Sequence, residues 1–178
     1  HVHAWNSRTG KTKLKLGQED GLLAAGFALS PKGNVIAISQ LNGAYVRVWD
    51  LDGRRELFSI KTFSNQSPVA FSPDGSQILT ESRNSWNSLQ ICDSIDGTEL
   101  VTLECHTDAV TDAVFSHDGT RVASCSADRK IMLWDAQSGE LLDVLLGHND
   151  RVHCIDFSPD DRFVASGSDS SQLLFGEL

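Results

Sequence analysis

Residues 110–135 read VTDAVFSHDGTRVASCSADRKIMLWD, and this stretch decides the fold. One apolar, β-prone run ends in the turn residues Ser-His-Asp-Gly, a second run follows, and a third ends in Trp-Asp. In the third run Ile131 and Leu133 point to one side, while Met132 and Trp134 point to the other. A strand that is apolar on both faces is typical of a sheet packed between two other sheets.

The same stretch predicts a small antiparallel sheet. We expect strands at 110–115, 121–126, 130–134 and 141–146, because each of these runs is bounded by turn residues. No segment of the chain has the periodicity of an amphipathic helix, so the predicted class is all-β.

Two sequence markers recur along the chain with one period. The run Phe-Ser-His-Asp-Gly at 115–119 has copies at 71–75 and 157–161 and a weaker copy at 29–33, spaced by 42, 44 and 42 residues. The Trp-Asp at 134–135 recurs at 49–50, and weaker versions begin at Trp5, Cys92 and Phe175. This period predicts repeats at about 1–18, 19–60, 61–104, 105–146 and 147–178, of which the first and last are partial.

The order of the motifs resembles the WD-repeat family of β-propellers. Gly-His stands at 147–148, Phe-Ser-Pro-Asp-Gly at 71–75, Ala-Ser-x-Ser-x-Asp at 123–128 and Trp-Asp at 134–135. The resemblance covers essentially the whole chain and is strongest from 103 to 168. It implies that residues 1–178 form a single partial propeller segment of about four blade-equivalents, each a four-stranded antiparallel sheet.

The resemblance also implies a structural hydrogen-bond group inside each blade, formed by His, Ser, Asp and Trp. The complete set is His106, Ser124, Asp128 and Trp134, and the last repeat matches it with His148, Ser166 and Asp169, but with Phe175 instead of Trp. In the second repeat we pair Trp49 with Ser39. Because these sets recur with the repeat, we interpret them as structural and not as a catalytic triad, which would occur once.

Composition and motifs exclude several classes of function. The net charge of −9 and the lack of a dense Lys/Arg cluster disfavour nucleic acid and anionic membranes as partners. His1, His3 and the pair Cys105-His106 do not have zinc-ligand spacing, and the chain lacks phosphate-binding glycine motifs, so we expect no metal and no cofactor.

The cysteines point to the compartment. Cys92, Cys105, Cys125 and Cys154 are widely spaced and form no CxxC pair. They are expected to be reduced and mostly buried, as in a cytoplasmic or nuclear protein, with the cytoplasm favoured.

Propellers bind partners through loops at one rim, and this expectation selects the candidate binding residues. They are Arg83, Trp86, Asp108, Arg129, Asp150 and Arg151. Trp86 lies in a lengthened polar loop and has two readings of equal weight. It is either an anchor for a partner or a residue that packs on the neighbouring blade.

The leading interpretation is a non-catalytic protein-interaction scaffold. A sensor region of a larger nucleotide-dependent signalling protein is the alternative, and a propeller enzyme is the third possibility. The partial blades at both ends predict a fragment of a larger protein, or a chain that self-associates through its open edges.

Overall fold

The computed structural model describes residues 2–16, 24–41, 43–64, 67–104, 106–170 and 173–177. These residues form seventeen strands, and no helix is present among them. The all-β class is therefore confirmed. The sequence-based boundary between the first two repeats, together with His1 and Cys105, lies outside the described residues.

The strands form five antiparallel sheets, called blades 1 to 5 in chain order. Blade 1 contains β1 (Val2–Trp5) and β2 (Thr12–Leu16). Blade 2 contains β3 (Ala24–Leu29), β4 (Val35–Gln40), β5 (Tyr45–Asp50) and β6 (Arg55–Lys61). Blade 3 contains β7 (Val69–Phe71), β8 (Gln77–Glu81), β9 (Ser88–Asp93) and β10 (Glu99–Glu104).

Blades 4 and 5 complete the series. Blade 4 contains β11 (Val110–Phe115), β12 (Arg121–Ser126), β13 (Ile131–Asp135) and β14 (Leu141–Leu145). Blade 5 contains β15 (Val152–Phe157), β16 (Phe163–Ser168) and β17 (Leu173–Glu177). In each blade the strands lie side by side in chain order, as in a partial WD propeller.

The core lies between successive blades. Leu79, Leu89 and Ile91 of blade 3 pack against Phe115 and Trp134 of blade 4, and all five side chains are buried. Similar apolar layers join blade 1 to blade 2, blade 2 to blade 3 and blade 4 to blade 5. Each inner blade is thus apolar on both faces, as the alternation in residues 131–134 predicts.

One face of blade 2 is only partly covered. Phe27 and Leu29 of β3 are 61% and 54% exposed, whereas Ala113 and Phe115, at the same register of β11, are 2% and 8% exposed. The difference arises because the described part of blade 1 has only two strands to cover β3, whereas the first two strands of blade 3 pack against β11.

The turn before the last strand of blade 1 and of blade 4 contains a glycine, but the surroundings of the two glycines differ. Gly139 and Gly10 both have a left-handed backbone, with φ of 75° and 67°. A Cβ on Gly139 would lie 2.5 Å from Cγ1 of Val101 and 3.1 Å from the carbonyl oxygen of Thr102, both in blade 3. A Cβ on Gly10 would have no neighbour within 4 Å. The two positions therefore share the backbone constraint but not the packing constraint.

We expect Gly139→Ala to lower the free energy of unfolding by about 2–4 kcal/mol, because left-handed strain and overpacking against blade 3 act together. Gly10→Ala is the matched control, and only the strain of about 1–2 kcal/mol applies to it. Urea denaturation of the two variants checks this difference. Equal losses would contradict the packing argument.

Candidate interaction rim

Two kinds of loop meet at one end of the blades, which we call the rim. Neighbouring strands run in opposite directions, so the loop after each second strand and the connection from one blade to the next lie at the same end. The turns that end in Gly75 and Gly119 lie at the opposite end. The rim is therefore where the predicted binding residues and the hydrogen-bond groups come together.

The residues of the complete group lie together in blade 4. The indole Nε1 of Trp134 donates to Oγ of Ser124 at 2.9 Å, and Nε2 of His106 lies 2.9 Å from the same oxygen. Nδ1 of His106 lies 2.9 Å from Oδ2 of Asp128. The serine oxygen accepts from the indole N–H, and its own hydrogen is donated to Nε2 of His106. The hydrogen of the imidazole is then on Nδ1, where it is donated to the Asp128 carboxylate. Every buried polar hydrogen of the group then has an acceptor.

Electrostatics favour a neutral imidazole beside an ionised carboxylate. Burial lowers the pKa of His106, although Asp128 opposes this effect. Burial also opposes ionisation of Asp128, but hydrogen bonds from the backbone of Thr107 and from His106 outweigh it and lower its pKa. Asp128 also accepts from the backbone N–H of Lys130 at 3.0 Å. The carboxylate thus bonds both rim loops of blade 4. The Ser124 hydroxyl is fully buried and is not accessible to a substrate.

Blade 5 has only part of this group. Nε2 of His148 lies 2.8 Å from Oγ of Ser166, but Nδ1 of His148 is buried with no partner among the described residues. Asp169 instead bonds His153 of β15. The assignment of Asp169 to the His148 group is therefore wrong.

Strand register explains both departures in blade 5. Ser168 pairs with Val152 as Ser126 pairs with Val110, so the residue that matches Asp128 is Ser170 and not Asp169. Likewise Gly176 lies opposite Val164, which is the place of Trp134 opposite Val122. The sequence marker at Phe175 is one residue too early. Blade 5 has neither the carboxylate nor the indole at these two positions.

Blade 2 shows the same one-residue offset. Trp49 lies opposite Ile36, so the position of Ser124 is occupied by Ile38, and Ser39 is one residue further along. The Ser39 hydroxyl bonds the carbonyl oxygen of Gly26 at 3.4 Å. The buried Nε1 of Trp49 has no partner among the described residues. The predicted pairing of Trp49 with Ser39 is therefore wrong.

Blade 3 uses different polar groups, which the sequence reasoning missed. The buried amide of Gln90 donates to the carbonyl oxygens of Lys61 and Glu81, each at 2.9 Å. The Glu81 carboxylate accepts from both the backbone and the hydroxyl of Ser64. Burial raises the pKa of Glu81, although the Ser64 bonds oppose this. A polar residue inside an otherwise apolar strand was the available signal for Gln90.

The two predicted rim residues of blade 3 are placed differently. The guanidinium of Arg83 is exposed but turns toward Glu99, with Nε 3.8 Å from the carboxylate. Trp86 contacts blade 4 through its backbone, and its role as an anchor for a partner stays a prediction. Its carbonyl oxygen accepts from the N–H of Val110 in blade 4, and the neighbouring Asn87 donates to the carbonyl oxygen of His106, yet the Trp86 side chain is 47% exposed.

The charged rim residues of blades 4 and 5 lie in tight loops. Asp108 and Asp150 each accept from the N–H of the next residue, at 2.7 and 2.8 Å. Arg129 is exposed with a left-handed φ of 70°, and Arg151 is exposed while its carbonyl oxygen bonds the N–H of Asp169. Within the described part of the chain, neither guanidinium makes an ion pair. Both are therefore available to a partner.

Three further rim residues were missed by sequence reasoning. Phe63 is 52% exposed, and Leu41 and Tyr45 are also exposed. Backbone bonds from Thr62 to the carbonyl of Ala44, and from Phe63 to the carbonyl of Ser82, hold Phe63 between the rim loops of blades 2 and 3. We call Leu41, Tyr45, Phe63 and Trp86 the apolar rim patch. The signal for Phe63 was a large apolar residue in an otherwise polar connection.

Two segments of the chain match a known protein family. The profile described as "WD domain, G-beta repeat" matches residues 97–135 and 139–173. These two segments are WD repeats. The first spans β10 and the first three strands of blade 4, with Ser124, Asp128 and Trp134, and the second spans β14 and the first two strands of blade 5. Each matched repeat therefore begins on the last strand of the preceding blade.

Individual relatives are WD-repeat proteins of different kinds. The chain is 36% identical over 102 residues to the mouse intraflagellar transport protein 122 homolog, which covers 57% of this chain and 8% of that protein. It is 37% identical over 92 residues to the WD repeat and SOCS box-containing protein 1 of Takifugu rubripes, covering 51% and 22%. It is 28% identical over 162 residues to the COMPASS component SWD3 of Saccharomyces cerevisiae, covering 89% and 50%. The chain thus spans at most half the length of these relatives.

Three negative observations apply to the described ranges. They contain no group of three or more His, Cys, Asp or Glu side chains arranged to hold a metal ion. No helix long and apolar enough to cross a bilayer occurs there either. Cys92, Cys125 and Cys154 are free, and burial raises the pKa of Cys92 and of Cys125 to about 12. The buried thiols of Cys92 and Cys125 are therefore protonated and unreactive near neutral pH, whereas the Cys154 side chain is exposed.

Trp134→Phe should destabilise the WD repeats by about 1–3 kcal/mol, because it leaves the buried Ser124 hydroxyl without its indole donor. Trp49→Phe is the matched control, since its indole N–H bonds no described residue and its loss should cost clearly less. Thermal and urea denaturation measure both. A Trp49 variant at least as unstable as the Trp134 variant would argue against the assigned role of this hydrogen bond.

Ser170→Asp should stabilise the chain by about 1 kcal/mol, because it gives His148 of blade 5 a carboxylate at the position that Asp128 has beside His106 in blade 4. Burial lowers the pKa of His148 from its ordinary value of 6.5, so the native chain prefers the neutral ring and loses stability as the pH falls through this value. An added carboxylate favours the protonated ring and should make that loss shallower. Denaturation at pH 7.5 and 5.5 checks both effects, with Ser170→Asn as the neutral control. A variant with the stability and pH slope of the native chain would contradict this account.

Proposed function

We propose that the chain is a non-catalytic protein-interaction scaffold that binds its partners through the rim. The observation that carries this proposal is the apolar rim patch, whose four large side chains are exposed at the rim end of blades 2 and 3. Large apolar groups exposed at one end of a folded domain mark interaction sites. Aromatic residues at such a patch, surrounded by polar and charged loops, are typical anchors of protein interfaces.

The charge distribution supports a protein partner rather than a nucleic acid. The chain carries −9 net charge, which repels phosphate. The rim of blades 4 and 5 adds Arg129 and Arg151 beside Asp108 and Asp150, a mixed set suited to polar contacts around the apolar patch. The yeast relative is a COMPASS component, and membership of an assembly supports the same role here. The three described thiols are free and two of them are buried, which suits a reducing compartment, so we propose a cytoplasmic or nuclear location with the cytoplasm favoured.

A second candidate role is self-association. Trp5, Phe27 and Leu29 are exposed where an inner blade would be covered by its neighbour, so this face is able to pack against another sheet. We propose that it is covered either by a further part of a longer protein or by a second copy. Light scattering of the purified chain separates a monomer from an assembly. A role as the sensor region of a nucleotide-dependent protein has no specific support from the described residues.

Phe63→Ser combined with Trp86→Ala should weaken partner binding at least tenfold, the usual effect of truncating interface anchors. Partners are captured from native lysate on the immobilised native chain, identified by mass spectrometry, and their affinities are then measured with purified proteins. Ile95→Ala is the matched control, because Ile95 is a large exposed apolar residue in a turn at the opposite end of blade 3.

The rim proposal requires that folded Phe63/Trp86 variants lose the partner while the Ile95 variant retains it. Retention of the partner by the rim variant would mean that the binding surface lies outside the apolar rim patch. Loss in both variants would indicate non-specific adsorption to exposed apolar groups. A second pair, Trp86→Ala with Arg151→Ala, tests whether the charged part of the rim contributes, and unchanged affinity would remove Arg151 from the surface.

A further inference from the structure

The turns opposite the rim differ at one pair of positions. The four turns at 30–33, 72–75, 116–119 and 158–161 join the first and second strands of blades 2 to 5. Three of them have proline second and end in glycine or aspartate, whereas the blade 4 turn has His117 second. Three end in glycine with φ between 65° and 84°, whereas the blade 5 turn ends in Asp161 with φ of 55°. The two departures thus fall on neighbouring blades.

These two positions lie close together at the seams between blades 2 and 3 and between blades 3 and 4. A Cβ on Gly75 would lie 3.0 Å from Oγ of Ser30 and 3.3 Å from Cγ of Pro31, both in the turn of the preceding blade. A Cβ on Gly119 would lie 3.5 Å from Cδ of Pro73. The last residue of each turn is therefore packed beside the second residue of the preceding turn. At the seam between blades 4 and 5 this pairing brings Asp161 to His117.

The contact at this seam is a set of hydrogen bonds. Oδ1 of Asp161 accepts from the backbone N–H of His117 at 2.8 Å, and Oδ2 accepts from the N–H of Asp118 at 2.9 Å. The imidazole Nδ1 of His117 is 3.1 Å from Oδ1. The Asp161 side chain is only 10% exposed. Proline has no N–H and glycine has no carboxylate, so the contact needs both departures at once.

We propose that His117 and Asp161 act as one unit, an interblade clasp that holds the three-stranded blade 5 against blade 4. The carboxylate caps two adjacent N–H groups of a turn, a geometry that binds anions well. Asp161 has the left-handed conformation that glycine has in the other three turns, and an L residue adopts it only at a cost.

Two further contacts surround the clasp. Nη2 of Arg121 donates to the carbonyl oxygen of Asp161 at 2.7 Å, and its guanidinium lies over the ring of Phe157. Burial opposes ionisation of Asp161, but the bonds from the backbone of His117 and Asp118 outweigh it and lower its pKa. The carboxylate is therefore charged near neutral pH, which strengthens the bonds that it accepts.

Native-state hydrogen exchange of the whole chain, read by mass spectrometry, tests the clasp. Peptides from β15 and β16 report on blade 5, and peptides from β4 and β5 report on the rest of the molecule. Asp161→Asn tolerates the left-handed backbone but removes the charge and one acceptor, and it should speed exchange in blade 5 about tenfold with blade 2 unchanged. Asp96→Asn, which alters an exposed turn carboxylate that bonds only its own turn in blade 3, should leave blade 5 unchanged.

A double-mutant cycle tests whether the two residues are coupled, because coupling reverses the sign of the effect of Asp161→Gly on exchange in blade 5. In the native background Asp161→Gly removes the carboxylate and should speed exchange in blade 5. In a His117→Pro background the buried carboxylate has lost its strongest donor, so the same Asp161→Gly change should slow exchange. The double variant recreates the Pro–Gly pairing of the blade 3 to blade 4 seam, so it is expected to fold.

Three outcomes would overturn the clasp. The first is an Asp161→Asn variant whose blade 5 exchanges at the native rate. The second is an Asp161→Gly effect of the same sign in both backgrounds, which would mean that the two residues act independently. The third is equal acceleration in blade 2, which would show a general loss of stability instead of release of blade 5.

Discussion

Both faces of each inner sheet are buried against neighbouring sheets, and the rest of the structure depends on this packing. A blade cannot cover its own apolar faces, so its stability comes from the blade before it and the blade after it. Where a neighbour is incomplete, as at β3, large side chains such as Phe27 and Leu29 remain exposed. The same dependence makes each seam between blades a place where a few polar contacts have a local effect.

Burial on both faces also limits which polar groups a blade can hold. The group around Ser124 satisfies every polar hydrogen that it buries, so blade 4 holds four polar side chains inside an apolar sheet. Blade 3 satisfies its buried Gln90 amide with backbone carbonyls. In contrast, Trp49 and His148 each have one buried nitrogen that bonds no described residue. The blades therefore share one architecture while differing in how completely their interiors are satisfied.

The sequence was sufficient for the class and for the repeat because both depend on patterns longer than one residue. Apolar alternation over 131–134 and the recurring turns predict the all-β sheets, and the strands of blade 4 lie within one residue of the predicted limits. Individual partners were harder, because a one-residue slip moves a side chain to the other face of a strand. Aligning Asp169, Phe175 and Ser39 by letter placed each of them one residue from the position that the strand register assigns.

The candidate site shows a different limit of sequence reasoning. Trp86 was visible because a tryptophan in a polar loop is unusual, but Phe63 joins it only because two backbone bonds hold the connection between blades 2 and 3 in place. Those bonds link residues about twenty positions apart, so no local pattern reveals them. The rim patch exists because loops from different blades meet at one end of the sheets. Its apolar part therefore follows from the packing of blades 2 and 3, which holds the loops, as much as from the loop residues themselves.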